Sequence, residues 1–306
     1  MWNFQSTFAV MNAHAKGVAM ALFAATLWGV SGTAGQFLFQ QRAVGVEWLM
    51  AVRMLSAGSL LLLLGIFQKD SHVWGIWHER GDRLRLLVFG IAGMLTVQYT
   101  YFAAIKHSNA ATATILQFSA PVMIAIYLAA RYGKRLNLFG YLAVLSGILG
   151  AFLLVTHGRL DTLAISPLAL VLGIASAVSL ALYTLMPGKL LRKYSAVSVI
   201  GWGLFIGGVV ISFVKVPWQA DGIWDVYARL NVLFVVVFGT LIPFYMYLRA
   251  VQIIGGQKAS LLTSAEPLSA TLIAVLWLGV PFQAVDWLGA MLVVATVFLL
   301  AIDRKP

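Results

Sequence analysis

Apolar residues occupy this chain in long unbroken runs, and charged residues are confined almost entirely to the short stretches between them. Windows free of charge cover 17–41, 86–105, 107–130, 136–158, 162–188 and 194–214. Three shorter ones cover 230–248, 267–285 and 287–302, and a further apolar run, 47–67, contains Arg53. A membrane-crossing helix needs about 20 predominantly apolar residues, so the pattern predicts ten transmembrane helices. The strands of a transmembrane barrel would be about 10 residues long and polar at alternate positions, and these runs are continuous. The expected fold class is an all-α integral membrane protein.

Composition agrees. Charged residues make up 10% of the 306 positions and apolar ones 61%, against roughly 25% charged in soluble domains. The net charge of +11 would suit a nucleic-acid partner, but its placement argues otherwise. Ten crossings put both termini on one face. That face receives Lys16, Lys69, Arg80, Arg83, Arg85, Arg131, Lys134, Arg135, Lys189, Arg192, Lys193, Lys258, Arg304 and Lys305. The other face receives Arg42, Lys106, Arg159, Lys215 and Arg229, while Arg53 and Arg249 fall inside spans. This is the positive-inside bias, which predicts a plasma (inner) membrane protein with cytoplasmic termini and no nucleic-acid partner. The first span is expected to be retained, because a single Lys and no small-residue cleavage site precede it.

Offsetting the chain by 146 residues lays 99–121 on 245–267 without a gap. The identities are Tyr99/Tyr245, Tyr101/Tyr247, Ala104/Ala250, Ala113/Ala259, Leu116/Leu262 and Pro121/Pro267. The paired segments are spans three–four and eight–nine, so a five-helix unit occurs twice. Five is odd, so the second copy crosses in the opposite sense, giving two inverted five-helix repeats. Such repeats expose one central site to either side in turn. The halves are read as 16–156 and 165–303, joined by the polar stretch His157–Asp161.

Small residues recur on span one (Ala21, Ala25, Gly29, Gly32, Gly35), span five (Ser146, Gly150) and span seven (Gly203, Gly207). They suit close helix packing in lipid. Glu266 stands out. It lies about eight residues into span nine, roughly 12 Å below the surface, beside Pro267. An ionised group there costs about 2.5–3.5 kcal/mol and ordinarily faces a cavity or an ion path. It reads as a protonatable coupling site, a contact for a cationic group, or half of an ion pair with Arg53 or Arg249. Arg53 reads as a carboxylate anchor, a partner for Glu47 or a snorkelling residue. Trp28, Gln98, Tyr99, Gln117, Tyr183, Tyr245 and Thr263 are the candidate lining of a substrate path, with Gln36, Tyr101, Trp202 and Tyr247 also polar or aromatic within spans. Trp48, Trp74, Trp77, Trp218, Trp224 and Trp287 lie near span ends and are expected as interface anchors. Asp286 is expected to cap the last span, and Ser108–Asn109 to open span four.

No cysteine is present, and His14, His72, His78, His107 and His157 lack ligand spacing, so no metal site and no cofactor are expected. Nucleotide-binding loops and catalytic triads are absent from the sequence as well. An enzyme acting on lipid-linked substrates would need clustered polar groups at one interface, and the chain offers none with sensible spacing, so no enzymatic activity is expected.

The chain resembles the drug/metabolite transporter superfamily, specifically its EamA-type members. The resemblance is carried by Leu27-Trp28-Gly29, by Ala51-Val52-Arg53-Met54-Leu55, and by Ser108–Ala113 with Ser119-Ala120-Pro121. Gly256-Gln257-Lys258-Ala259-Ser260 with Ala265-Glu266-Pro267-Leu268 carries it furthest. It implies a ten-helix inner-membrane carrier with cytoplasmic termini that exports amino acids or other metabolites with proton coupling. One departure is that Gly133-Lys134 and Gly279-Val280 stand where members often carry Gly-Glu. The function expected is a secondary transporter in the lipid bilayer with a small-molecule substrate and protons as coupling ion. A multidrug or quaternary-ammonium carrier is the alternative within the class. Nothing in the pattern sets an oligomeric state.

Overall fold

The computed structural model describes residues 4–132, 137–159 and 163–303. Gly133, Lys134, Arg135, Asp161, Arg304 and Lys305, which enter the reading above, lie outside them. Among the described residues, nine helices are long and apolar enough to cross a membrane. They are α1 (His14–Gln41), α2 (Val46–Phe67), α3 (Arg80–His107), α4 (Ala110–Arg131), α5 (Leu138–Thr156), α6 (Pro167–Leu191), α8 (Val226–Ile254), α9 (Lys258–Leu278) and α10 (Ala284–Ile302). The shorter apolar helix Ala196–Ser212 is α7 and completes the ten.

Local chemistry sets several starts. Asn109, Asn137, Ser166, Ser195 and Asp225 each accept a hydrogen bond from a backbone N–H three residues on, as good N-caps do. Asp286 differs from expectation. It lies inside the first turn of α10 and reaches back to the Gln283 N–H at 2.7 Å, the return half of a capping box.

The halves interlock by exchange. α1 lies along α8 and α9, and α6 lies along α3 and α4. α2 pairs with α7, and α5 with α10. Swapping each helix for its counterpart in the other repeat maps this list onto itself, which is the pseudo-two-fold of inverted repeats. Small residues permit the tight pairs. A Cβ added at Gly150 would lie 2.6 Å from the Gly289 carbonyl, and one at Gly289 would lie 2.8 Å from the Gly150 carbonyl.

The repeat extends to its irregularities. α3 contains a π-helical turn, Phe89–Leu95, and α8 contains one at Val237–Leu241; the 146-residue offset superposes their last residues, Leu95 and Leu241. Both α4 and α9 break before their prolines. α4 divides into Ala110–Gln117 and Ala120–Tyr132, and α9 into Gly256–Leu262 and Ala265–Leu278. Proline lacks an N–H and crowds the carbonyl four residues back. At each break a serine hydroxyl adds to the turn: Ser119 Oγ donates to Leu116 O at 2.6 Å, and Ser264 Oγ to Leu261 O at 2.7 Å, while the Glu266 N–H bonds the Thr263 carbonyl that Pro267 leaves without its helical donor.

Candidate functional site

The break in α9 sets Glu266 in the first turn of Ala265–Leu278, where the helix dipole favours a negative group. α1 crosses there at Gly29. A Cβ at Gly29 would lie 2.2 Å from Ser269 Oγ and 2.5 Å from the Glu266 carbonyl. Glu266 is half-buried and makes no ion pair among the described residues. Ser260 and Thr263 precede it at helical i, i+3 spacing. Ser260 is exposed, Thr263 half-buried and Glu266 half-buried, so a polar stripe leads to the acid from the face where α1 begins.

Above this level the structure gathers an aromatic wall. Trp28 packs on Phe244 at 5.4 Å and on Tyr247 at 5.5 Å between ring centroids. Tyr183 stacks on Phe89 at 5.7 Å and lies within electrostatic reach of Tyr247. Tyr101 donates to or accepts from Thr114 Oγ1 at 2.8 Å and lies within electrostatic reach of both Glu266 and Arg53.

Arg53 neither snorkels nor meets Glu47. It is 3% exposed, its Nε donates to Thr240 Oγ1 at 3.1 Å, and its guanidinium lies 4.6 Å over the Phe102 ring. Glu47 instead accepts from Tyr99 Oη at 2.9 Å. Gln117 donates to Ser176 Oγ at 2.6 Å, which joins α4 to α6. Gln98 and Tyr245 are half-buried and make no side-chain hydrogen bond among the described residues. Arg249 is exposed and bonds Gln252, away from Glu266.

Two ends of the bundle differ. At the face opposite the start of α1, Gln36 Oε1 accepts the Ala110 N–H at 2.8 Å, and Gln36 donates to Gln40 at 3.1 Å. Gln40 in turn donates to the carbonyls of Ile105, Lys106 and Ser108. These two amides fasten α1 across the α3–α4 turn. The symmetry-related place, where α6 would meet the α8–α9 turn, has no comparable contact among the described residues.

Each face also carries a clamp between the halves. On the far face Arg42 pairs with Asp225 at 2.9 Å, and Trp48 Nε1 donates to Pro217 O at 2.8 Å. Arg42 and the Ala228 N–H hold the Asp225 carboxyl below its usual range. On the near face Lys193 bridges Glu79 and Asp82 at 2.5 and 2.8 Å, and Trp202 Nε1 donates to Val73 O at 2.7 Å. Burial pushes the Asp70 carboxyl up, but hydrogen bonds from Ser195, the His72 N–H and Ser198 outweigh it and leave it lowered. The indoles match as well: Trp48 meets Trp224, and Trp202 meets Trp77, both with centroids 4.9 Å apart.

The comparisons fit this architecture. The EamA-like transporter family pattern matches residues 15–156 and again 167–302. The chain is 39% identical to the uncharacterized inner membrane transporter YicL of Salmonella typhimurium, covering 96% of this chain and 98% of that one. The chain belongs to the EamA-like transporter family. The uncharacterized transporter YwfM of Bacillus subtilis is 25% identical over 95% of this chain and 96% of its own. A protein of known crystal structure superposes with a TM-score of 0.63 at 17% identity, covering 94% of this chain and 97% of that chain, which speaks to the fold alone. The protein is a multi-pass membrane transporter.

For an EamA-like transporter the broken helices α4 and α9 are informative, because half-helix ends at mid-membrane build substrate and ion sites. Sequence reasoning missed Ser260, Phe244 and the latch-like bonds that Gln36 and Gln40 make across the α3–α4 turn. Ser260 was legible from its three-residue spacing to Thr263 and Glu266. The latch was not, since it depends on which helix turn α1 meets.

Proposed function

We propose that this transporter exports a small amphipathic metabolite, such as an amino acid, across the plasma (inner) membrane in exchange for protons. Its termini then lie in the cytoplasm, and 16–156 and 165–303 are the two repeats, within which α1 and α6 are the moving helices. The observation that carries the reading is Glu266: an acid with no ionic partner among the described residues, at a helix break, reached by the Ser260–Thr263 stripe. A carboxylate kept from a cation deep in a membrane protein is costly as a fixed charge. It holds a proton in one access state and releases it in the other. Trp28, Tyr183 and Tyr247 wall the cargo, while Gln98, Tyr99, Gln117, Tyr245 and Thr263 line its route.

Access alternates when the Gln36–Gln40 latch on the far face opens and α6 closes on the α8–α9 turn. The test is counterflow in proteoliposomes with Glu266→Gln. Counterflow should persist while its response to a pH gradient disappears; an undiminished pH response removes Glu266 from coupling. The Trp28–Phe244–Tyr247 wall supports a second reading, a quaternary-ammonium carrier, since aromatic faces attract cations. Competition of tetramethylammonium against amino acids for the same counterflow separates the two.

A further inference from the structure

Three charged residues of this chain are buried among the described ones: Arg53, Asp82 and Asp286. Asp82 is paired with Arg85 and Lys193, and Asp286 with His157. Arg53 alone of the three has no anion among the described residues. Its Nε is used by Thr240, its face by Phe102, and its Nη1 is buried without a hydrogen-bond partner. A buried charged donor left without an acceptor is strongly unfavourable, which makes a missing acceptor the economical explanation.

A second orphan lies against the same turn. Ser31 Oγ on α1 is buried and unpartnered, and it abuts Gly239, whose added Cβ would lie 2.0 Å from it. Gly239 and Thr240 belong to the π-helical turn Val237–Leu241, a geometry that often marks functional positions. α1, α2, α3 and α8 therefore converge on one spot that offers a guanidinium N–H and a hydroxyl and holds no anion of its own. The acid that would neutralise Arg53, Glu266, is kept from it: no ion pair joins them, although Tyr101 interacts with both.

We propose that Arg53 Nη1 and Ser31 Oγ bind the carboxylate of the transported molecule. This rests on the transporter reading above and narrows it to cargo bearing a carboxylate, with any cargo amine left to face Glu266. Arginine suits the task because its planar fork matches a carboxylate. Thr240 and Phe102 orient it. A free small anion offers related chemistry, and the test separates the two.

The full-length protein in detergent is unfolded thermally in sodium acetate, glycine, methylammonium chloride or sodium chloride at equal ionic strength. Acetate and glycine should raise Tm, while methylammonium and chloride should not. Arg53→Gln should abolish the shift, Arg53→Lys should keep part of it, and Ser31→Ala should weaken it. No shift with acetate or glycine, or a shift unchanged in Arg53→Gln, overturns the site. An equal shift with chloride overturns the assignment to a carboxylate. Should Arg53→Gln not fold, phenylglyoxal modification of the wild type mapped by mass spectrometry decides: acetate must protect Arg53, and absence of protection refutes the proposal. Glu266→Gln keeps the acetate shift under this proposal. Loss of the coupling reading in counterflow therefore leaves the carboxylate site standing, and the converse holds.

Discussion

α1 and α6 are counterparts in the two repeats, yet they end differently. α1 finishes with Gln36 and Gln40 bonded across the α3–α4 turn. α6 finishes with Leu182, Leu185 and Leu191 exposed and, among the described residues, without a comparable hold on the α8–α9 turn. The helices otherwise make matching neighbours, α1 with α8 and α9, α6 with α3 and α4. A largely symmetric fold with this asymmetry at the tips of α1 and α6 suits one state of the alternating carrier proposed above. The asymmetry sits at the tips of the gating helices, while the tryptophan and ion-pair clamps hold on both faces at once. In the proposed export cycle, motion is assigned to α1 and α6 against the opposing hairpins, with α2–α7 and α5–α10 as fixed seams.

The largest predicted effect tests how firmly each gating helix is seated. At Gly29, a methyl group would strike the Glu266 carbonyl and the Ala270 N at 2.5 and 2.7 Å, both backbone atoms. At Gly173 on α6, it would meet the Leu116 side chain at 2.6 Å, which can turn aside. Gly29→Ala should destabilise the protein by about 2–3 kcal/mol and Gly173→Ala by less than about 1 kcal/mol, because rigid overpacking is the more damaging. Thermal unfolding of the two variants in one detergent measures the difference. Equal losses would mean that α6 is seated as rigidly as α1.

A smaller effect breaks the latch itself. Gln36→Leu leaves the Ala110 N–H without its acceptor, a loss of about 1–3 kcal/mol for a buried donor. Since 1.4 kcal/mol is tenfold in a population, opening of the far face should rise about tenfold or more. The chain has no cysteine, so a single Thr112→Cys reporter, buried at 5% exposure beside the latch, reads the change cleanly. Maleimide labelling of Thr112→Cys should accelerate about tenfold in the Gln36→Leu background, and Ser260→Cys on the near face should slow. Unchanged rates at both positions would show that the amides are decoration on a static turn.

Much of this was written in the sequence. Continuous apolar runs bounded by charge give the ten helices, and the 146-residue repeat gives the inverted halves, because lipid leaves the backbone no other choice. Pro121 and Pro267 announced the breaks in α4 and α9. Which helix faces which was not legible, since Leu, Ile and Val look alike toward lipid and toward a neighbouring helix. Trp48 and Trp77 show the consequence. Their positions near span ends suggest interface anchors, but Trp48 is buried on a loop carbonyl of the other half, and Trp77 packs on Trp202. Trp74 and Trp218 do remain exposed. Pro243 deprives Gly239 O in the π-helical turn of α8 of its helical donor, but α3 forms its own π-helical turn with Val97 at the equivalent position, so the proline alone does not announce the turn; its place beside Arg53 required the fold.

The smallest predicted effect asks whether the two clamps are as alike as their geometry. Trp48 and Trp202 each donate one indole N–H to a loop carbonyl, at 2.8 and 2.7 Å, and each meets a second indole edge-on. Phenylalanine keeps an aromatic body and removes the donor. A neutral hydrogen bond contributes about 0.5–1.5 kcal/mol, so Trp48→Phe and Trp202→Phe should each lower stability by about 1 kcal/mol and the pair should add, being at opposite faces. If both clamps are fixed seams, neither variant shifts the balance of Thr112→Cys and Ser260→Cys labelling. A variant that speeds one reporter at the other's expense would instead place its clamp among the moving parts, and the boundary between seam and gate would have to be redrawn on that face.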